Sequence, residues 1–246
     1  MSKFDEVDDP RRAWLIRALS SGLFATGFDQ AAAQSFFGSK PAKLPPGQSI
    51  YSASGDVRVN NQPATLSTPV KPGDTVQTGG NSQIVFAIGT QAMILRSDST
   101  LLIQQPEIVK PTLAATLIGG LRLLTGKLLS VSRNSPMKVT TSTATIGIRG
   151  TGYYVEADPE QTYFCTCYGT TEVQAIDDPE SKDTVEALHH DRPLYIVKDG
   201  GAGRNIRNAP FVNHTDPELA LIETLVGRTP PYVFGKDAYS GPRKSY

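Results

Sequence analysis

The sequence predicts an all-β fold, a twisted sandwich or solenoid-like sheet domain with one short C-terminal helix. Three observations carry this reading. From about Ser49 onward, runs rich in Val, Ile, Thr and Tyr alternate apolar with polar residues, as a half-buried pleated surface requires. Turn signals separate the runs at intervals of roughly 8–12 residues, the spacing of sandwiches, barrels and solenoids. The 22 Gly and 18 Pro among 246 residues favour many short elements over long helices, and no fixed-period repeat stands out.

The chain begins differently. Arg11 and Arg12 stand beside Trp14-Leu15-Ile16, and a modestly apolar stretch leads to Ala31-Ala32-Ala33. A charged start, an apolar middle and small residues at a cleavage point describe an export signal. The paired arginines resemble a twin-arginine signal, with Asp9-Pro10 where Ser or Thr is usual. Arg17 and Asp29 interrupt the stretch, which falls short of the roughly 20 residues that span a bilayer. The expectation is a periplasmic protein with residues 1–33 removed and no stable transmembrane segment left; the bland alternative is an amphipathic helix packed on the domain. Residues 34–47 read as a linker.

The β domain is expected over residues 48–198. "IYSASGDVRVN" reads as a strand with Val57 and Val59 on one face, ending in the turn "NNQP". A Pro-Gly turn and a short strand at Val76 follow. Gln83 to Ile88 and Ala92 to Leu95 pair as a hairpin about Gly89-Thr90, and Thr100 to Ile103 makes the next strand. "LRLLTGKLLSVS" alternates loosely around Gly126. In the long run after Ser135, turns are expected at Asp158-Pro159 and at Gly169. Residues 199–246 form a Gly- and Asn-rich loop, a short helix and an extended tail. The helix has Thr215 or Asp216 as cap, Pro217 in its first turn, Leu219, Ile222 and Val226 on one face, and Gly227 as stop. Its expected place is against the sheet or over an edge.

The ordered motifs Gly55-Asp56-Val57, "PGDTVQTG" (72–79), "FAIGTQAMIL" (86–95), "LLTGKL" (123–128) and "TSTATIGIRGTGYYVE" (141–156) resemble the FecR family over about Gly55 to Val173. The resemblance implies a periplasmic all-β domain that, in ferric-citrate-type systems, receives a signal from an outer-membrane receptor and passes it toward a sigma factor. The roughly 33 residues ahead of the domain are too few for the family's cytoplasmic segment plus a membrane helix. The expectation is therefore a stand-alone, exported, non-enzymatic domain that binds a protein or cell-envelope component. Lys plus Arg and Asp plus Glu are both 24, so no net charge steers the chain to nucleic acid. In "IGIRGTGYYVE", Gly147, Gly150 and Gly152 suit bulges or close backbone approach, and Arg149 is a candidate to bind a partner carboxylate.

One feature stands outside the family pattern. "TYFCTCYG" (162–169) holds the chain's two cysteines. Cys165 and Cys167, two apart in a strand, leave the same face about 7 Å apart. His189 and His190 follow within or beside the next strand, which a hairpin near "DDPESKD" returns alongside the cysteines. Two thiolates with one or two imidazoles suit Zn or Cu, so Cys165, Cys167, His189 and His190 form a candidate metal set. Adjacent histidines in a strand point to opposite faces, which would leave one of them off the site. A disulfide or thiol-redox pair and plain burial stand as alternatives, the i to i+2 disulfide being strained in a flat strand. Hydrolytic catalysis lacks a Gly-x-Ser-x-Gly elbow. A Cys165 nucleophile with His189 as base lacks a recognisable oxyanion hole.

Overall fold

A computed structural model describes residues 44–106, 117–133, 136–229 and 231. The expected export signal, the start of the linker and nearly all of the tail lie outside the described residues. The strands are β1 (Ile50–Ser54), β2 (Val57–Val59), β3 (Gln62–Pro63), β4 (Thr75–Thr78), β5 (Gln83–Ile88), β6 (Gln91–Leu95), β7 (Ser99–Gln104), β8 (Gly120–Val131), β9 (Met137–Thr140), β10 (Ala144–Ala157), β11 (Gln161–Ala175), β12 (Lys182–Ala187), β13 (Leu194–Val197) and β14 (Ile206–Asn208); one helix, α1 (Asp216–Leu225), follows. All 14 join one sheet, antiparallel except for the β8–β9 pair. The described residues form an all-β domain with one short C-terminal helix. Among the described residues no helix is long and apolar enough to cross a membrane.

The β5–β6 hairpin and the β10–β11 hairpin over Asp158-Pro159 form where the sequence places them. Two details differ. The run "IYSASGDVRVN" divides at Gly55 into β1, which pairs with β5, and β2, which pairs with β4. The "GRNIRNAP" stretch, expected as loop, contributes the short edge strand β14 against β13.

The sheet has two apolar faces. The inner one gathers Val76, Phe86, Met93, Leu95, Leu101, Leu121, Leu123, Leu128, Ile146, Ile148, Tyr153, Val155, Phe164 and Val173 into the main core. The outer one is smaller and is built from Ala92, Ile94, Leu129, Val131, Tyr154, Tyr163, Cys165 and Cys167, with Leu219 and Ile222 of α1 packed upon it. The three long strands keep the inner face by changing parity part-way. On β8, 121 and 123 face in, then 128; on β10, 146 and 148, then 153 and 155; on β11, 164, then 173 and 175. A strict alternation would turn half of each strand inside out. Each strand therefore carries a glycine at positive φ: Gly126 (91°), Gly150 (65°) and Gly169 (90°).

Gly169 corrects the expected turn. β11 runs unbroken through it, and the residue acts as a bulge that re-aims the strand. Before it, β11 pairs with β13; after it, with β12. A Cβ here would lie 2.7 Å from Thr151 Cγ2 and 2.9 Å from Gly150 O, so the two strands approach too closely for a side chain. The same glycine leaves Cys165 and Cys167 on the outer face while Val173 and Ala175 point inward.

Helix α1 starts as expected. Thr215 caps it by accepting from Glu218 N at 3.3 Å, Pro217 stands in the first turn, and Gly227 takes φ 75° at the stop. Leu219 and Ile222 are fully buried against β6 and β8, each contributing about 1.5–3 kcal/mol. Its acidic residues also face the sheet. Arg96 binds Glu218 at 2.8 Å. Glu223, buried, is held by Arg133 at 3.0 Å, by Arg228 at 2.6 Å and by the Tyr168 hydroxyl.

Candidate metal centre

Three segments meet on the outer face. β11 supplies Cys165 and Cys167 by simple alternation. β12 returns antiparallel beside it, pairing Gly169 with Ala187, and ends in a tight loop. There Asp191 Oδ2 accepts from Leu188 N at 2.7 Å and from His189 N at 3.3 Å. His190 takes φ 54°, a left-handed conformation that costs a non-glycine residue roughly 1–2 kcal/mol. Its N–H then donates to Cys167 O at 2.9 Å, fixing the loop on β11. The third segment crosses over from β14 to α1. Val212 N donates to the Tyr163 hydroxyl at 3.2 Å, and the His214 ring lies on Tyr154 with centroids 4.5 Å apart and planes 21° apart.

Cys165, Cys167, His190 and His214, all buried, thereby bring one donor atom each to a common point, every pair within 4.8 Å. His190 Nδ1 is 3.5 Å from Cys165 Sγ and 3.2 Å from His214 Nε2. A regular tetrahedron with Zn–S of about 2.3 Å and Zn–N of about 2.05 Å has S–N edges of about 3.6 Å and N–N edges of about 3.3 Å. Both distances fit an ion at the centre.

The second partners of the imidazoles orient them for this. His214 Nδ1 donates to Val212 O at 2.8 Å, so the Nε2 lone pair faces the cluster. His190 Nε2 donates to Asp216 Oδ1 at 3.0 Å, which turns Nδ1 toward the cluster. Imidazoles held by a carbonyl and by a carboxylate are the usual outer support of metal ligands. With two nitrogen acceptors facing each other, a proton or a cation has to stand between them. Burial alone lowers the affinity of His190 for a proton, but Asp216 and Cys165 outweigh it and raise its pKa. Burial pushes the Cys165 thiol up, yet Cys167, His214 and His190 together hold it well below its ordinary value. Cys167 is pushed well above the ordinary value by burial and by Cys165 beside it. The cluster thus favours negative charge on Cys165 and positive charge on His190 beside it.

Of the four residues named from sequence, Cys165, Cys167 and His190 meet here. His189 lies outside, with Nε2 on Asp216 at 2.8 and 2.9 Å and its side chain 38% exposed. Both histidines follow the strand rather than lie in it, and the left-handed His190 lets both imidazoles touch one carboxylate. His214 completes the set and was not anticipated. The signal available is numerical: the chain has three histidines, of which His190 and His214 meet at the cluster while His189 shares Asp216 with His190. Both cysteines are free thiols. Arg149 lies away from this centre, in an exposed ion pair with Glu172 across the β10–β11 ladder at 2.7 Å.

No protein-family model matches the chain, and no curated protein matches it. Among solved structures it is similar to two crystal structures, at 1.65 and 2.50 Å resolution, of a candidate anti-sigma factor from Parabacteroides distasonis ATCC 8503. Each has a TM-score of 0.41 and 14% identity, with 55% of this chain and 58% of that chain covered. The chain thus spans less than two thirds of the length of that protein.

Proposed function

We propose that this chain is a metal-binding β domain, with Zn²⁺ held by Cys165, Cys167, His190 and His214. The convergence of four buried donors, with an S–N and an N–N separation close to tetrahedral edges, carries the reading. Four protein ligands leave no open position, the pattern of a structural rather than a catalytic ion. Charge selects between the metals the donor set allows. Two thiolates neutralise Zn²⁺, whereas Cu(I) would leave a net negative charge in a buried site, which is costly. The centre joins β11, the β12–β13 loop and the segment ahead of α1.

Around that centre the function is non-enzymatic binding of a protein or cell-envelope partner by an exported, periplasmic domain. The ordered FecR-like motifs and the twin-arginine-like start support this part. Export of a folded chain would allow the ion to be loaded beforehand.

The test is metal analysis of protein purified without an affinity histidine tag. One tightly held zinc per chain is expected to survive purification, lost in Cys165→Ser/Cys167→Ser and in His214→Gln but kept in His189→Gln. Wild-type protein without stoichiometric metal, or a double cysteine variant that keeps it, would sink the assignment. Fractionation and pull-down from periplasmic extract test the rest: a chain retained in the cytoplasm contradicts export.

A further inference from the structure

We propose that a second divalent ion, Zn²⁺ or a similar borderline metal, binds beside the first on His189, His190 and Asp216, with the His190 imidazole bridging the two ions. The inference rests on the inner centre described above, since His190 can bridge only if an ion holds its Nδ1.

His189 Nε2 is 2.8 and 2.9 Å from the two Asp216 oxygens, and His190 Nε2 is 3.0 Å from Oδ1. These three donors lie within 4.8 Å of one another. An ion ~2.0–2.1 Å from each ligand sets tetrahedral edges of ~3.3–3.4 Å, so the three donors, held at hydrogen-bond separations, need to spread by only roughly half an ångström to admit it. The backbone supports the arrangement. Consecutive residues of an extended chain aim to opposite sides, and only the left-handed His190 in the Asp191-capped loop turns both rings to one carboxylate. The structural role of His190 in the inner centre does not require His189 to be there at all.

The two sites differ in chemistry. The inner one has two sulfurs, two nitrogens and no exposure. The outer one has two nitrogens and a carboxylate, a donor set for imidazole- and oxygen-seeking divalent ions. Its His189 side chain is 38% exposed while Asp216 is 2% exposed, so the ion would meet solvent on one side only. Three protein ligands with water in the remaining positions describe an exchangeable site. When the outer ion binds, the proton on His190 Nε2 leaves to solvent, and the imidazolate joins Nδ1 on the inner ion to Nε2 on the outer. The charges then balance: two thiolates against the inner ion, imidazolate and carboxylate against the outer.

The test is a Co²⁺ titration of reduced, metal-free full-length protein, followed by optical spectroscopy, with Zn²⁺ stoichiometry from native mass spectrometry. The first equivalent should bring a near-ultraviolet thiolate-to-cobalt charge-transfer band. The second should add visible ligand-field absorption without more charge transfer, and a mild chelator should remove it first. His189→Ala and His189→Gln, partly exposed positions, should keep the band and lose the second equivalent. A wild type that shows the band but saturates with one ion overturns the second site and leaves the inner one standing. Retention of two ions in both His189 variants also overturns it. Absence of the band overturns the inner centre, and the bridged site with it.

Discussion

Replacing Gly169 by alanine separates the two reasons for a glycine at the bulge of β11. The backbone sits at φ +90°, and a Cβ would lie 2.7 Å from Thr151 Cγ2 and 2.9 Å from Gly150 O. Left-handed backbone costs an L-residue about 1–2 kcal/mol, and overpacking a tight site costs about 1–3 kcal/mol. Gly169→Ala should therefore lose ~2–5 kcal/mol by those two costs together. Gly150, at φ +65° with nothing within 4 Å of an added Cβ, is the control. Gly150→Ala carries only the backbone cost, about 1–2 kcal/mol. For a chain of this size each kcal/mol is roughly 2–4 °C in Tm. Urea and thermal unfolding of both variants measure the difference. Gly169 also lies two residues beyond Cys167, so any shift that relieves the contact moves a ligand. Competition with a chromophoric chelator should show weaker zinc binding in Gly169→Ala and unchanged binding in Gly150→Ala. Equal losses of stability in the two variants would refute the close approach of β10 and β11 as the reason for the glycine.

Three further outcomes follow from the same geometry. Zinc at a hundredfold excess over Kd should stabilise the wild type by about 2.7 kcal/mol, with no rise in Tm for Cys165→Ser/Cys167→Ser in the same scan. Arg96→Met, which leaves Glu218 beneath α1 without its cation, should cost ~3–5 kcal/mol; the loss should shrink when Glu218→Gln is added, and a double-mutant cycle in urea that shows no coupling contradicts the buried pair. The Ser181 hydroxyl, foremost, and the Gly203, Glu180 and Ser181 amides hold the Asp178 carboxyl below its ordinary value against the opposing effect of burial. A depressed folded-state pKa gives stability that is present above the unfolded pKa and lost as pH falls through the folded one. Ser181→Ala should therefore raise the Asp178 pKa, read by carboxyl NMR, and move acid unfolding to higher pH.

The elements that sequence reveals are those whose pattern is local. The β5–β6 hairpin, the Asp158-Pro159 turn and the Thr215 cap each follow from a few neighbouring residues. Gly169 is ambiguous in the sequence because glycine marks a turn and a bulge alike, and the choice depends on Thr151 of the adjacent strand. β14 has three residues, too few for alternation to show. His214 stands 24 residues from His190 within a cap motif that already accounts for its neighbours, so nothing local marks it as a ligand. Glu218 and Glu223 occupy helix positions that polarity alone assigns to solvent. Their burial is decided by Arg96 on the β6–β7 connection and Arg133 beyond β8, distant in sequence and adjacent only once the sheet has formed.

The same long-range assembly bears on what the proposed ion would do. The segment from Phe211 to Leu225 covers the outer face and is held at two places. At its start are His214 and the Asp216–His190 hydrogen bond; along α1 are the Arg96–Glu218 pair and the Glu223 cluster. The second set needs no metal, and Leu219 and Ile222 add apolar burial beneath it. Removing one member of such a buried charge pair is expensive, so α1 stays docked on the sheet without zinc. The proposed ion would act instead where the donors crowd: two sulfurs and two imidazole nitrogens meet in an apolar pocket walled by Tyr154, Tyr163 and Phe211. A divalent ion there would make four bonds and be balanced by two thiolates. On that proposal, a β scaffold already held together by its inner core gains a metal centre from four side chains on its other face.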